Sequence, residues 1–394
     1  MARTITAEES LEPPPANPTV ADERLARRSV WKRLLIRPEF GALAGAVVVW
    51  VLFAWQAKDT WLTWGGTATY LDTAALYGLS AIAIALLMIG GEFDLSSGVM
   101  VGTAGMFTGL FAVHSGFNFW LAMALSLAIC LAIGFLNGYM VIKSGLPSFI
   151  VTLGTFFILR GFNLWLTQNI TNQTNVTGVD RTGGFSSAEK LFASAPIKIG
   201  GTEFRVDILW FIGITAVAAW VLLRTRVGNW IFAVGGNKEA ARRVGVPANA
   251  TKIGLFMVVA ACGWLHGMVV LTQTGRSNVI EGVGQEFYYI IAAVLGGCLL
   301  TGGFGSAVGA ALGCLILGMT QQGIVLAGWD NNLYFLFLGV ILLIAAFANE
   351  WIRNWATRAG RPAKPPDVAV AGNGAGGDGS RGEERAAVRG EASV

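Results

Sequence analysis

Residues Leu95–Ile142 read LSSGVMVGTAGMFTGLFAVHSGFNFWLAMALSLAICLAIGFLNGYMVI, 48 residues without one Asp, Glu, Lys or Arg. A helix rising 1.5 Å per residue crosses a hydrocarbon core of about 30 Å in about 20 residues. This run therefore holds two spans, with a break at the polar, Gly-containing His114-Ser115-Gly116-Phe117-Asn118. The same reading gives spans at 40–56, 71–89 (Asp72 near its start), 147–167 (Arg160 inside it), 208–223 and 253–274. Two more fit in 287–329, with a break near Thr301-Gly302-Gly303-Phe304-Gly305, and 331–349 closes the series. The expectation is an all-α membrane protein with about ten transmembrane helices.

Composition supports this. The 394-residue chain is 54% hydrophobic and 13% charged, about half the charge of a soluble protein. Residues 40–349 carry only 26 of the 52 charges. The chain divides into a polar cytoplasmic segment at 1–39, partly disordered, a transmembrane domain at 40–350, and a Gly-rich tail at 351–394, expected to be disordered and cytoplasmic. No cleavable leader is visible in the polar, Pro-containing start.

Lys and Arg set the orientation. Arg24, Arg27, Arg28, Lys32, Arg33 and Arg37 precede the first span, and the loop 224–252 holds Arg224, Arg226, Lys238, Arg242, Arg243 and Lys252 against Glu239 alone. Both read as cytoplasmic, and with ten spans the C-terminus follows. The 168–206 loop then falls outside. The net charge of +4 reflects cytoplasmic loops beside anionic lipid and gives no reason to expect nucleic acid. Cys130, Cys262, Cys298 and Cys314 sit in apolar runs at no metal or redox spacing and read as packing residues. No phosphate-binding loop, nucleophile with a base, or metal spacing is present, so the chain does not read as an enzyme by itself.

Small residues let membrane helices approach closely. Gly98, Gly102, Gly105 and Gly109 form one stripe on the third span, and Gly305, Gly309 and Gly313 a second on the ninth. Each stripe follows a glycine joint, Ile89-Gly90-Gly91 or Thr301-Gly302-Gly303. Parity puts both joints on the same side, so they do not by themselves make an inverted repeat.

Few charged residues lie near the spans. Asp94, followed by Leu-Ser-Ser, reads as a cap for the third span or as part of a gate, and Glu92 as an interfacial charge. Arg160 either snorkels toward the outer interface or pairs with a carboxylate such as Asp72. His266 reads as a packing residue. In the cytoplasmic loop, Asn237–Val244 has a short helical pattern capped by Asn237. Bracketed by glycines and bearing charges and two alanines, it is either an ordinary basic interfacial helix or a helix built to dock into a cleft on a partner.

Gly91-Glu92-Phe93-Asp94-Leu95-Ser96, Pro147-Ser148-Phe149-Ile150-Val151-Thr152-Leu153-Gly154, Ala233-Val234-Gly235-Gly236-Asn237-Lys238-Glu239-Ala240-Ala241-Arg242 and Ile291–Gly297 with Gly302–Ser306 resemble, in order, the motifs of permease subunits of bacterial ABC importers of the ribose/xylose/arabinose type. Glu92-Phe93 departs from that pattern, which usually has a single apolar residue between Gly and Asp. The resemblance implies a type II-like permease bundle in the bacterial inner membrane. It also implies a second permease copy in a homodimer, a cytoplasmic ABC ATPase and an extracytoplasmic sugar-binding protein delivering a monosaccharide. No cofactor is then expected on this chain, ATP and Mg belonging to the ATPase. Residues 235–242 become the ATPase-coupling segment, and Asp94, Ser96 and Thr152 candidates for the translocation path or its gate. Two alternatives stay open: a permease for a branched-chain amino acid or nucleoside, and an ion-coupled secondary transporter using Asp72, Glu92, Asp94 or Arg160. A membrane scaffold would leave the docking loop unexplained.

Overall fold

The computed structural model describes residues 38–358, with side chains over 39–347. The segment before 38 and the tail beyond 358 lie outside the described residues. Residues 38–353 belong to one compact unit, and of the second unit, 354–394, only the end of a helix is described.

The helices are α1 (Pro38–Gln56), α2 (Lys58–Trp61), α3 (Trp64–Ile89), α4 (Ser97–Val113), α5 (Phe119–Ser144), α6 (Ser148–Thr171) and α7 (Phe185–Phe192), then α8 (Asp207–Arg224), α9 (Arg226–Gly236), α10 (Lys238–Arg243), α11 (Ala248–Thr274), α12 (Gln285–Leu295), α13 (Ala307–Leu326) and α14 (Leu333–Arg358). Each of the ten charge-poor runs has its helix. Among the described residues, seven of the helices are long and apolar enough to cross a membrane, while the apolar stretches in α4, α12 and α14 are shorter. The 11 residues of α12 rise about 16 Å, half the thickness of the hydrocarbon core.

Apolar residues surround α3 on every face, which places it in the core: Ala74–Ile89 is buried apart from Leu76, which is half-buried, and α3 packs against α8, α11, α12 and α13. A second core joins α4 and α5 to residues of α6, α7 and α11. At one end of the bundle, the long loop after α6 folds into α7 and a hairpin of β2 (Ile197–Ile199) with β3 (Thr202–Phe204). In addition, β1 (Asn175–Val176) pairs antiparallel with β4 (Ser277–Asn278), Val176 opposite Ser277.

Glycine stripes explain one unusual packing. Gly102, Gly105 and Gly109 of α4 face the non-helical chain around Ser277–Glu281, and a Cβ built on Gly102 would stand 2.7 Å from the Val279 carbonyl oxygen. The stripe thus admits backbone where a helix was expected, and the Gly102 N–H donates to the Glu281 carbonyl at 3.1 Å. Gly309 and Gly313 approach the backbone of α12 at Gly296 and Ala292. Gly305 does not belong to that stripe: α13 starts only at Ala307, because Ser306 is its cap and accepts from the Gly309 N–H at 3.3 Å.

Candidate functional site

A network of polar groups holds the turn between α3 and α4. The Asp94 carboxylate accepts from the Ser96 N–H (2.8 Å) and hydroxyl (2.6 Å). The side-chain amide of Asn137 on α5 donates to the Ser96 oxygen at 2.9 Å, and Thr155 on α6 donates to Asn137 at 2.7 Å. Two hydroxyls of α6 accept the turn's own amides: Ser148 from the Phe93 N–H and Thr152 from the Leu95 N–H, each at 3.0 Å. Two sequence motifs far apart in the chain are therefore hydrogen-bond partners. Asp94 closes the turn ahead of the helix, while Ser96 occupies the cap position of α4 without a side-chain bond to the helix amides, so the expected side-chain cap by Asp94 is not formed. Burial pushes the Asp94 carboxyl up to about 6, against the lowering effect of its bonds to Ser96 and Asn137. Asp94, Ser96 and Thr152 are thus brought together, fully buried.

At the same end of the bundle the two glycine joints touch. The Gly303 N–H donates to the Ile89 carbonyl at 2.8 Å. Between them sits the end of α9: a Cβ built on Gly303 would stand 2.7 Å from Gly236 Cα, and one on Gly302 2.7 Å from Gly91 Cα. Bare backbone from the α3–α4 turn, the α9–α10 corner and the α12–α13 loop thus meets at one point.

From this point α10 projects. Asn237 caps it as expected, accepting from the Ala240 N–H at 2.9 Å. Glu239 pairs with Arg242 at 3.2 Å in an exposed bridge, and Arg242 also donates to Asn249 at 2.5 Å. The two alanines differ in role: Ala241 is buried against Val234 and Ala248, while Ala240 faces outward. Val244, 79% exposed, completes the outer surface. Sequence reading missed α9, whose Thr225 cap accepts from the Gly228 N–H at 3.2 Å, because three glycines in eleven residues read as a loop.

Glu92 is not a simple interfacial charge. It forms a buried ion pair with Lys252 in the first turns of α11. Lys238 of α10 lies within electrostatic range of both, and its partial burial, with Lys252 and Arg242 nearby, holds its ammonium below the usual lysine range. At the far end of the bundle Asp72 pairs with Arg205 at 3.2 Å, and Arg205 and Asp207 share Gln273. The expected alternative pairing of Asp72 with Arg160 is therefore replaced. Arg160 is exposed on α6, and because α6 runs from Ser148 to Thr171 the residue lies at mid-helix, away from the outer interface to which it was expected to snorkel. Buried His266 shares hydrogen-bond distance, 3.2 Å, with Ser80 and Tyr289.

A family of proteins described as the permease component of branched-chain amino acid transport systems matches residues 66–346. The chain is 28% identical to the ribose import permease protein RbsC of Escherichia coli K12 over 307 residues, covering 77% of this chain and 92% of that protein. It is 29% identical to the fructose import permease protein FrcC of Rhizobium meliloti over 286 residues (73% and 78%). With the xylose transport system permease protein XylH of Escherichia coli K12 it shares 25% identity over 362 residues (79% and 91%). No solved structure matches the chain.

Proposed function

The chain belongs to the permease-component family of ABC importers, and from that premise we propose how it works: as the membrane subunit of a monosaccharide importer, coupled through α10 to a separate ATPase. It is a multi-pass protein of the bacterial inner membrane and a transport subunit, with ATP hydrolysis on another chain and solute arriving from a binding protein. The relatives' names, which specify ribose, fructose and xylose, favour a monosaccharide over an amino acid or nucleoside.

One observation carries the coupling route: the contact of Gly235 and Gly236 with both glycine joints. A rigid body seated on the outward residues Asn237, Lys238, Glu239, Ala240, Arg242 and Val244 would move the end of α9. Because backbone meets backbone there, that motion passes to α3, α4, α12 and α13 with no flexible side chain to absorb it. In this reading Asp94, Ser96 and Thr152 are positioning residues that hold the α3–α4 turn against α6. The polar end bearing α10 is then cytoplasmic, as its basic residues imply.

A second copy completes the assembly. The seam falls on the uncovered face of α6, since a mid-span arginine facing lipid is costly. The path then runs between the copies. Copurification with the ATPase tests the docking reading. Replacing 237–244 by a Gly-Ser segment of equal length abolishes association, and retained association would refute it.

A further inference from the structure

Helix α6 packs through Thr152, Phe156, Leu159, Asn163 and Thr167 onto α4 and α5. Its other face is bare: Phe157, Ile158 and Trp165 are 60%, 69% and 59% exposed, and Gly154 and Gly161 have no atom within 4 Å of a built Cβ. Arg160, also exposed, is the thirteenth of the 24 residues of α6 and so lies about 18 Å from the helix start. The interface is about 15 Å from the middle of the hydrocarbon core, too far for its side chain to snorkel. An ionisable side chain at that depth faces water or a charge partner.

Both are available. Glu286, in the first turn of α12 and 3% exposed, lies within electrostatic range of Arg160. Its carboxylate accepts from the Gly284 N–H at 2.9 Å and abuts Gly98, so the starts of the two short helices α4 and α12 meet beside it. Discontinuous helices whose N-termini meet at mid-depth are where transporters place solute groups.

We propose that Arg160, with the Glu286 carboxylate in electrostatic range, touches the passing solute at mid-membrane: its guanidinium donates to sugar hydroxyls and makes the path selective for polyhydroxylated solutes. A planar fork of five N–H donors suits vicinal hydroxyls better than a lysine point charge. The proposal rests on the reading that α6 lines a path between two copies.

The test uses the full importer in proteoliposomes, with ATPase and binding protein, and compares uptake of the best-transported sugar from a panel of pentoses and hexoses with uptake of its 2-deoxy analogue. Arg160→Gln lowers the maximal sugar uptake rate at least tenfold and narrows the ratio between sugar and analogue, while ATPase copurification is unchanged. Arg160→Lys retains an intermediate rate, and Glu286→Gln gives a smaller loss in the same direction. Arg160→Cys reacts with a small charged thiol reagent faster than the unsubstituted chain and is protected during turnover, whereas Ile158→Cys serves as the less reactive reference. Unchanged rate and ratio in Arg160→Gln, or an unreactive thiol in Arg160→Cys, overturns the proposal. Gly154→Cys reports the underlying seam separately: cross-linking between copies with normal Arg160→Gln transport sinks the arginine role alone, and absence of cross-linking sinks the seam and the proposal with it.

Discussion

Gly235 and Gly236 are neighbours in one motif, yet the structure assigns them opposite sensitivities to a single methyl group. A Cβ on Gly235 would overlap the Ile89 carbonyl oxygen and stand 2.7 Å from the Gly303 nitrogen, where ordinary contact begins at 3.4 Å. The end of α9 must therefore retreat by more than the roughly 0.7 Å that the Gly303 nitrogen alone demands, because the Ile89 oxygen is closer still, and it retreats from the two atoms that form the 2.8 Å bond between the joints. Overpacking of this kind costs about 1–3 kcal/mol, and losing the buried bond adds about 1 kcal/mol, so Gly235→Ala should be destabilised by about 2–4 kcal/mol at the joint. A Cβ on Gly236 meets nothing within 4 Å, and Gly236→Ala should gain slightly through reduced backbone freedom. ATP-driven uptake in proteoliposomes, measured beside ATPase copurification, reads the result. Gly235→Ala is expected to keep the ATPase bound, since α10 is untouched, and to lose most sugar uptake; Gly236→Ala is expected to retain both. Equal uptake in the two variants, or a larger loss in Gly236→Ala, would refute the backbone joint as the coupling route.

Three other expectations follow from single contacts. Asn237→Ala removes the cap of α10, costing about 1 kcal/mol of local stability, and should weaken ATPase association several-fold in a binding titration while Asn237→Asp does not. Removing one member of the buried Glu92–Lys252 pair, as in Lys252→Met, should cost about 3–5 kcal/mol, whereas the double change Glu92→Leu with Lys252→Met should recover most of the thermal midpoint; a double variant no better than the single one would contradict the pairing. The Asp94 carboxyl titrates near 6 in the folded chain against 3.8 in its ordinary state, so the folded form holds its proton more tightly. That contribution to stability is complete below pH 3.8 and is lost as the pH rises through about 6; the thermal midpoint should fall across this window, and Asp94→Asn should flatten the slope.

Charge scarcity made most of the fold legible in the sequence. Ten charge-poor runs became ten helices because a buried or lipid-facing helix must be apolar on every face. Length was read less well: α12 stops after 11 residues because Gly296 caps it and Gly297 turns the chain at φ +85°, and before it Arg276–Gly284 runs beside the α4 glycines as non-helical backbone. Nothing in a hydropathy pattern separates such a half-helix from a full one. The Asn237 cap was readable because a cap is local, decided by an oxygen and an amide three residues apart. Glu92 with Lys252 was not, because the two lie 160 residues apart and a long-range pair leaves no mark on either local pattern. The partnership of Ser148 and Thr152 with the Phe93 and Leu95 amides was hidden for the same reason, although both motifs stood out individually.

The two glycine joints show what similarity of local sequence means when the copies touch. Repeats placed at opposite ends of a bundle give two independent hinges, whereas here the Ile89–Gly91 and Gly302–Gly303 backbones share one bond and one neighbour in Gly235. On the proposed reading they form a single hinge. Helix α12 leaves it and, about 16 Å later, reaches Glu286 beside the start of α4. Because α12 is short and its last turn lies backbone to backbone on α13 at Gly309 and Gly313, it has little room to bend and absorb a displacement there. On the proposed reading, motion of α10 is therefore delivered through α12 as a shift of Glu286 relative to Arg160. The ATPase-facing end and the solute-facing group would then be joined by one rigid half-helix, and lengthening the α12–α13 loop at Leu300 by two glycines should uncouple them: ATPase binding persists, uptake is lost, and the thiol reactivity of Arg160→Cys no longer changes with turnover.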